Sequence, residues 1–456
     1  MPPRRQPRQL LWSCISSASE MVIAQTLSCS DPLQEVSTRK LLHKYVPPLL
    51  LQDVLNCVLR QLSVHHSTHA SPAVVSCLLR ILLHPRVTDL KLSDLSYVGT
   101  VELETLDKVE STLMQLLPSM TQLTQLDLST HRNKITLPSC STGILQILGR
   151  SCPNLKLLNL NNNNRVTGEG LLHLYPADHQ PGCIKLEMLF IQDCSVEPED
   201  VAMLIHFFPN LQLVGYKELG TSLQMLQSQP KKFGRKRRRC QYNLKLTHVD
   251  NTMSRVQRCD GDIVDFVCDA CPDIENLKIR VCDEDVGELG KLHNLKHLEL
   301  RFYTGVHHPI SSSTVNYLTS HGSQLSSLTI FCNRLYSHHV KIIAENCRNL
   351  SKLFLFANVA VVDSPLKSSC NKLNKLEILI ADAPRRTLAA PMLELTIETA
   401  FFLINTCPHL QLLGNLISWN VTPGEVAQLQ AVARMCNYNM TVIYTQANKL
   451  KDKLTD

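Results

Sequence analysis

Glycine is scarce in this sequence, with 16 of 456 residues, about half the usual share in proteins. Neither of the glycine-rich motifs GxGxxG and GxxxxGKS/T occurs, so the loops that hold nucleotide phosphates in many enzymes are absent. No apolar run approaches the roughly 18 residues that a membrane-spanning helix needs. The sequence therefore indicates neither a nucleotide-dependent enzyme nor a membrane protein. We expect no catalytic residue and no cofactor.

Positive charge near the N-terminus does not form a secretion signal. Arg4, Arg5 and Arg8 precede residues 10–27, which carry several serines and Glu20 and are too polar for the apolar core of a signal peptide. A mitochondrial transit peptide stays open as an alternative, because the first nineteen residues carry arginine and serine but no acid. The 18 cysteines are spread along the chain, which favours reduced thiols and a location in the cytoplasm, the nucleus or both.

Leucines recur in a pattern typical of a repeat protein. A chain of 456 residues is too long for one ordinary core. The pattern LxxLxL, followed by cysteine or asparagine and then an amphipathic stretch, is clear in residues 155–174, 186–211 and 325–350. In the first of these the pattern continues through Asn162. Weaker copies begin at Val87, Leu123, Ile274, Leu295, Leu350, Leu373 and Leu410.

A second signature marks the junctions between repeats. It is a cysteine followed three residues later by leucine or isoleucine, and it begins at Cys152, Cys271, Cys347, Cys370 and Cys407. The alternating leucines should point inward from a short parallel strand, and a helix should cover the other side of the core. The predicted fold class is an α/β leucine-rich-repeat solenoid: a curved horseshoe with parallel strands inside, helices outside and an N-terminal helical cap.

Two of the cysteines have the spacing of a zinc site. Cys268 and Cys271 form a CxxC pair, with Cys259 and Cys282 nearby as further candidate ligands. Cys271 also belongs to the junction signature, so packing explains its presence. We therefore predict no metal site.

These repeats resemble the cysteine-containing leucine-rich repeats of F-box proteins and related ubiquitin-ligase receptors. The junction signatures and the VTxxGL stretch from Val166 to Leu171 carry the resemblance, which covers roughly residues 85–445. The predicted organisation is an N-terminal helical region, two blocks of repeats separated by a basic loop, and a tail. Their bounds are 1–84, 85–219 (repeats), 220–243 (basic insertion), 244–445 (repeats and C-terminal cap) and 446–456.

The N-terminal region is predicted to be helical over residues 10–27, 38–45, 48–62 and 72–83. Leu10, Cys14 and Ala18 share one helix face and look like the elongin-binding box of cullin-ligase receptors, with Gln9 where that family has a small residue. A second set is similar to the cullin-selecting box that follows it, and consists of Val46, Pro47, Leu50 and Val54. Two alternatives stay open. Residues 46–62 also resemble the first helix of an F-box, although its Val-Cys-x-x-Trp helix is missing, and the region could act only as a cap.

A run of positive charge interrupts the repeats. Its members are Lys231, Lys232, Arg235, Lys236, Arg237, Arg238 and Arg239, and together they exceed the net charge of +6 of the whole chain. The basic balance is therefore predicted to come from this loop and not from a basic face of the repeats. The run predicts a nuclear-import signal or a contact with an anionic partner, and a solvated insertion is the alternative. Nucleic-acid binding is not expected, since Phe233 is the only aromatic residue within the run.

Residues that flank the last leucine of each LxxLxL should line the concave face of the sheet. The early copies place small polar groups there, the middle copies charges and the late copies phenylalanines. The predicted partner site consists of Lys278, Arg280, Glu299, Arg301, Phe331, Phe354 and Phe356. Large apolar anchors beside a charged rim are typical of a binding hot spot. Alternatively, the rings could fold over the strand edge and pack.

The resemblance implies a substrate-recognition subunit of a cullin-RING ubiquitin ligase, in which the chain binds proteins and performs no catalysis. Its expected partners are elongin B/C with a cullin, or the F-box-type adaptor, together with a protein substrate on the concave face. A membrane partner is not expected. The alternative is an interaction scaffold with no link to a ligase, possibly nuclear.

Overall fold

The structure is a computed structural model of the chain. It describes residues 7–28, 32–64, 72–93, 96–97, 103–130, 135–136, 140–176, 181–228, 244–251, 261–302, 310, 312–360, 373–382, 395–436 and 438–444. The chain divides into two compact units, Met1–Gly234 and Arg235–Asp456. The division falls inside the segment 220–243 that the sequence sets apart.

Four helices open the first unit, which confirms the helical N-terminal region. They are α1 (Pro7–Ser28), α2 (Pro32–Tyr45), α3 (Pro48–Val64) and α4 (Pro72–Leu82). Each begins at a proline, whose fixed φ angle and missing N–H suit the first position of a helix. For this reason α2 begins at Pro32, six residues before the predicted start. Helix α1 packs against α3 and α4.

Helix α3 covers the edge of the first sheet. The side chain of Gln52 pairs with the edge strand as a further strand would: Nε2 donates to the carbonyl oxygen of Asp89 at 2.6 Å, and Oε1 accepts from the N–H of Thr88 at 3.0 Å. Without such a partner, an edge strand leaves its N–H and C=O groups open to other chains. The N-terminal region therefore does cap the repeats.

The first unit then forms a parallel sheet of short strands in the order β1, β3, β5, β6, β7. The strands are β1 (Asp89–Lys91), β3 (Gln125–Asp127), β5 (Leu157–Asn159), β6 (Met188–Phe190) and β7 (Leu213–Gly215), while β2 (Ser96–Tyr97) and β4 (Ile135–Thr136) form a separate antiparallel pair. The intervening helices are α5 (Leu103–Leu116), α6 (Thr142–Ser151), α7 (Gly168–Leu172), α8 (Pro198–Phe207) and α9 (Leu219–Ser228).

Helix α9 corrects the predicted start of the basic insertion. Residues 220–228 were assigned to a loop, but they are helical, and Leu219, Leu223 and Leu226 are buried. Their spacing of three and four residues places the three leucines on one helix face. The basic residues themselves lie outside the described residues.

The second unit is a parallel sheet of eight strands in sequence order. They are β8 (His248–Asn251), β9 (Asn276–Val281), β10 (His297–Phe302), β11 (Ser327–Leu335), β12 (Lys352–Ala360), β13 (Ile378–Asp382), β14 (Leu412–Gly414) and β15 (Thr441–Val442). The helices are α10 (Gly261–Ala270), α11 (Ser312–His321), α12 (Ser337–Asn346), α13 (Ile397–Thr406) and α14 (Pro423–Met435), and a 3-10 helix spans Asp283–Lys291. In both units short parallel strands alternate with helices, so the predicted α/β leucine-rich-repeat solenoid is confirmed.

The junction signature is a helix end joined to a strand start. The N–H of Cys152 donates to the carbonyl of Leu148 as the last helical bond, and the N–H of Leu155 donates back to Cys152. Cys271, Cys347 and Cys407 make the same pair of bonds. The cysteine must be small because it is buried between repeats, and Cys152 is 0% exposed.

An asparagine turns the chain after strand β5. Asn163 is 4% exposed, and its Nδ2 donates to the carbonyls of Leu128 and Leu160, both at 2.9 Å, while its Oδ1 accepts from the N–H of Cys140 at 3.0 Å. The turning residue is therefore Asn163 and not Asn162, with which the predicted pattern continued. Asn162 has a φ of 64°, a left-handed conformation that asparagine tolerates better than most residues.

Strand β13 corrects the register predicted for its repeat. The sequence assigned Leu373, Leu376 and Ile378 to the LxxLxL pattern, but Leu353 of β12 pairs with Leu379 and Leu355 pairs with Ala381. The junction turn is made by Leu373 and Leu376, whose N–H donates to the carbonyl of Leu373, while the predicted junction residue Cys370 lies outside the described residues. The repeat is thus shifted by three residues along the chain.

Candidate protein-binding surfaces

The concave side chains of the first unit bond mainly to one another. Asn159 Nδ2 donates to Asp127 Oδ2 at 3.1 Å, and Asn161 Oδ1 accepts from the N–H of Gln192 at 2.7 Å. Phe190 lies over Gly215, where a Cβ atom would be 2.5 Å from its Cδ1. The same face also carries the half-buried side chains of Leu157, Met188 and Leu213.

The second sheet brings the seven predicted partner-site residues together in two rows that cross the strands. In one row Lys278 of β9 pairs with Glu299 of β10, and Phe354 of β12 follows beyond Thr329 of β11. In the other row the order is Arg280, Arg301, Phe331 and Phe356. All seven side chains are half-buried, and each strand alternates them with fully buried residues. The register therefore places the seven residues on one face.

Three side chains on adjacent strands form a stack. The rings of Phe331 and Phe356 lie 4.4 Å apart at an angle of 9°, and the guanidinium carbon of Arg301 lies 4.4 Å from the centre of the Phe331 ring. Arg301 Nε also contacts Glu299 Oε1 at 2.6 Å, which fixes the guanidinium above the ring. We call Arg301, Phe331 and Phe356 the aromatic row.

The far end of this surface is anchored by residues that sequence reasoning missed. Ile380 and Ile443 form a small buried cluster, and Phe354 and Phe356 pack against it. Ile380 pairs with Phe354 across β12 and β13, a neighbour that the predicted register of β13 concealed. The alternative that the rings pack is thus correct in part, because each phenylalanine combines a packed edge with an exposed one.

A shallow groove lies beside the aromatic row. It has a volume of about 270 Å³, and its lining includes Lys278, His297, Ser327, Thr329 and Lys352. The small side chains of Ser327 and Thr329 leave the space between larger neighbours. His297, Ser327 and Lys352 lie one pleat before the predicted concave residues of their strands. They were missed because the prediction considered only the residues that flank the last leucine of each repeat.

The groove and the strands beside it carry charges of both signs. Partial burial, and then the ammonium of Lys352, lower the pKa of His297 below its usual range. Lys278 Nζ lies 3.8 Å from Asp250 Oδ2, whereas Lys352 forms no ion pair within the described part of the chain. On strands β9 to β12 the concave face carries Lys278, Arg280, Arg301 and Lys352 together with the carboxylate of Glu299, and the carboxylates of Asp250 on β8 and Asp382 on β13 lie in the same two rows.

The predicted elongin-type box lies on α1. Cys14 is exposed and Ala18 is half-buried, while Ile15 and Val22, on the adjacent side of the helix, are buried. Leu10 belongs to the helix, but its side chain lies outside the described residues. The box therefore has an accessible position at Cys14.

The predicted cullin-type box is accessible only in part. Val46 and Leu50 are half-buried and Pro47 is exposed. Val54 is 1% exposed, so it packs in the core of the helical region and cannot contact a partner, and its assignment to the adaptor site is wrong. The cause is amphipathicity, since Val54 lies four residues after Leu50, deeper on the buried side of α3.

Helices α1 and α2 expose several large apolar side chains. They are Leu11, Trp12, Met21 and Leu27 on α1, and Val36, Leu41 and Tyr45 on α2. Trp12 is 54% exposed and Tyr45 is 70% exposed. Aromatic residues are only 5% of the chain, so their exposure here marks a candidate interaction surface.

Most of the described cysteines are buried packing residues, whereas Cys14 and Cys436 are exposed. Burial raises the pKa of the Cys268, Cys271 and Cys347 thiols to about 12. Cys282 is disulfide-bonded, contrary to the expectation of reduced thiols throughout. Among the residues that the structure describes, no group of three or more His, Cys, Asp and Glu side chains is placed to hold a metal ion. None of the described helices is both long and apolar enough to cross a membrane.

Comparison with known proteins gives only distant similarities. No protein-family model and no curated protein matches the chain. The chain is similar to the crystal structure of the Rad7 and Elc1 complex in yeast, with 13% identity, a TM-score of 0.46, and 98% of this chain and 100% of that chain covered. It is also similar to the leucine-rich repeat-containing protein LegL7 from Legionella pneumophila, with 12% identity, a TM-score of 0.33 and coverage of 63% and 97%.

A leucine-rich-repeat protein of Leptospira interrogans has 15% identity and a TM-score of 0.28, with 79% of this chain and 95% of that chain covered. Similarities this distant identify no partner for the chain. The assignment of the leucine-rich-repeat fold follows from the chain's own parallel ladders, buried leucines and repeated junction turn.

Proposed function

We propose that this chain is a protein-binding subunit that recognises substrates for a cullin-RING ubiquitin ligase. Its N-terminal helices would dock an adaptor, and the concave face of the second sheet would hold the substrate. The chain itself performs no chemistry, because the ligase complex supplies the ubiquitin transfer. Its contribution is to raise the effective concentration of the substrate near that complex.

The observation that carries the adaptor half is the exposed apolar surface of α1 and α2. A structural cap needs only to cover the sheet edge, and α3 does so through Gln52. Capping therefore does not account for exposed residues such as Trp12, Met21 and Tyr45. The box-like Cys14 lies on the same helix and is also exposed. A partner that covers this surface would remove apolar area from water, at about 25 cal/mol for each Å².

The substrate half rests on the aromatic row. Stacked phenylalanines under an arginine combine a rigid apolar surface with a charge, which is the usual composition of an interaction hot spot. A surface of this kind favours protein binding over a purely structural role.

Co-purification tests the adaptor half. The tagged full-length chain is expressed in cells with elongin B/C, a cullin and the F-box adaptor, and the captured proteins are identified by mass spectrometry. We expect capture of elongin B/C, and we expect Cys14→Asp to abolish it, because a carboxylate would be buried under the partner. Ala24→Asp is the matched control, since it places the same charge at another exposed position of α1. Recovery of none of these proteins by the unmodified chain would refute the ligase role.

A scaffold with no ligase link is the second candidate function. The burial of Val54 favours it, because a cullin-selecting box would lack one of its contacts. Removal of residues 1–80 distinguishes the two. An unchanged set of captured partners would support the scaffold, whereas loss of a cullin with retention of other partners would support the ligase subunit.

A further inference from the structure

Helix α2 is attached to the N-terminal region by less apolar burial than the helices around it. Among the α2 side chains that the structure describes, only Leu42 is buried. Helix α3, in contrast, buries a row of apolar side chains, namely Leu51, Val54, Leu55, Cys57, Val58 and Leu59. Because apolar burial is the main favourable term in packing, α2 should be the first of the four helices to separate from the others.

Polar side chains supply the rest of the attachment of α2 to α4. They recur at every fourth residue on one face of α2, namely at Glu35, Arg39 and His43. Arg80 Nε on α4 lies 2.6 Å from Glu35 Oε1, and Arg39 Nη2 donates to the carbonyl oxygen of Leu83 at 3.3 Å. The ring centre of His43 lies 4.9 Å from that of His84, which follows α4. The contact therefore ends in a pair of histidines.

Both histidines are neutral when α2 lies against α4. The N–H of Arg86 donates to His84 Nδ1 at 3.2 Å, which requires that this nitrogen carry no proton. Partial burial, and then His84 and Arg39, lower the pKa of His43 below its usual range. Partial burial, and then Arg86 and Arg39, lower the pKa of His84 in the same direction. At neutral pH the two rings therefore pack together without charge.

The charged groups around the pair do not stabilise a protonated ring. On the elements that pack against it, the described charged side chains are Glu20 on α1, Glu35, Arg39, Lys40 and Lys44 on α2, Arg80 on α4 and Arg86 after it. Glu35 is held by Arg80, and Glu20 accepts from the hydroxyl of Ser16 at 3.3 Å. No carboxylate among the described residues raises the pKa of either ring. A proton on one histidine would therefore face the second ring and the nearby arginines.

We propose that α2 is a pH-sensitive strap, which separates from α4 when His43 and His84 become protonated. Two imidazolium charges would then face each other beside Arg39 and Arg86, and His84 Nδ1 could no longer accept from the Arg86 N–H. The part of the exposed apolar surface that α2 carries, which would move away from α1, consists of Val36, Leu41 and Tyr45. This inference rests on the proposed adaptor-binding role of that surface, and it adds a means of regulating it.

The sign of the pH effect follows from the state of the rings. A histidine in water has a pKa of about 6.5, and attachment of α2 lowers the pKa of both rings below that value. The separated helix thus binds protons more readily than the attached one. The attachment should be at full strength above about pH 6.5 and should weaken as the pH falls further. Because two rings gain protons, the response should be steeper than that of one histidine.

Hydrogen exchange followed by mass spectrometry tests the strap in the full-length chain. Exchange is measured at about pH 7.5 and at about pH 5.5, on either side of the ordinary histidine pKa, with labelling times scaled for the slower chemical exchange in acid. We expect α2 to lose protection severalfold at the lower pH while α3 keeps its protection. The double variant His43→Gln and His84→Gln should show no such difference, because glutamine gains no proton. His293→Gln with His409→Gln is the matched control, since both histidines are exposed and lie in the second unit.

A second variant tests the polar attachment without a change of pH. Glu35→Gln removes the ion pair with Arg80, so α2 should lose protection at about pH 7.5 as well. Glu20→Gln is its control, because Glu20 is an exposed carboxylate of α1 that bonds only within its own helix among the described residues. Full protection of α2 in the Glu35→Gln protein would overturn the polar attachment on which the strap depends.

The remaining outcomes separate the strap from the proposed function. Equal protection of α2 at the two pH values would overturn the strap and leave the adaptor surface in place. A difference that persists in the double histidine variant, or that extends equally to α3, would overturn the role of the two rings. Capture of elongin B/C should weaken at the lower pH and should be restored by the double variant. Absence of capture at both pH values would contradict the proposed function and would leave the exchange result unaffected.

Discussion

Neighbouring residues of strand β11 offer a direct test of which side chains hold the repeat together and which face a partner. Ile330 is 0% exposed and lies between Leu300 and Leu355 in register. Phe331 points to the other side of the sheet and is half-buried. The pair allows one strand to be altered on each face in turn, with the rest of the molecule unchanged.

The expected magnitudes differ between the two substitutions. Ile330→Ala removes fully buried methyl and methylene groups and should lower the free energy of unfolding by about 2–5 kcal/mol. Phe331→Ala loses a ring stack worth about 0.5–1.5 kcal/mol and a cation–π contact worth about 0.5–1 kcal/mol, so the loss of these two contacts should cost about 1–2.5 kcal/mol. For binding the order should reverse, because loss of a hot-spot ring weakens a complex by about 2 kcal/mol or more, roughly thirtyfold in Kd.

Urea denaturation followed by circular dichroism measures the free energy of unfolding. Fluorescence anisotropy with a captured partner measures the Kd. The two variants should change places between the two assays: Ile330→Ala should lose more stability, and Phe331→Ala should lose more binding. An equal loss of stability in both would mean that Phe331 is a core residue. Full-strength binding by a folded Phe331→Ala protein would remove the aromatic row from the partner site.

Three further predictions follow from the packing and from the basic run. Gly149→Ala should destabilise the protein by about 1–3 kcal/mol in thermal melts, because its Cβ would lie 1.9 Å from the carbonyl oxygen of His173, whereas Gly287→Ala, with nothing within 4 Å, should not. Asn163→Ala should cost about 2 kcal/mol or more, since the carbonyl of Leu128 and the N–H of Cys140 lose their partner, and an unchanged melting temperature would contradict that role. Replacing the basic residues of 231–239 by alanine should reduce nuclear accumulation of a fluorescent fusion, and unchanged localisation would exclude the proposed import signal.

The sequence predicted the buried part of the fold well because the leucines of the repeat pattern are the residues that each repeat buries. Leu90, Leu126 and Leu158 were assigned to the inner face of successive strands, and they pair with one another in the sheet and are 0% exposed. Stacking requires the same kind of inward residue in every copy, so each additional copy strengthens the assignment of the buried positions. The concave face was predicted from the same alternation.

The sequence could not decide the register of β13, where the local pattern is ambiguous. Residues 370–376 read Cys-Asn-Lys-Leu-Asn-Lys-Leu, so a junction can begin at Cys370 or at Leu373 with leucine three residues later in either case. Cysteine recurs at four other junctions, which favoured Cys370. The pairing of Leu353 with Leu379 selects Leu373 instead. This choice depends on a neighbouring strand, which a local pattern does not contain, and it determines that Ile380 supports the phenylalanines.

The difference between inward and concave positions also separates the residues that determine the fold from those that determine binding. At an inward position such as Ile330 every repeat must supply a residue that stacks, so the identity there reports on the fold and little else. At Arg301, Phe331 and Lys352 stacking sets no such requirement, and polar residues would serve the fold equally well, as Asn159 and Asp127 do in the first unit. Apolar rings retained at positions where the fold does not need them cost solubility, so a partner that covers them is the simplest physical account of their presence.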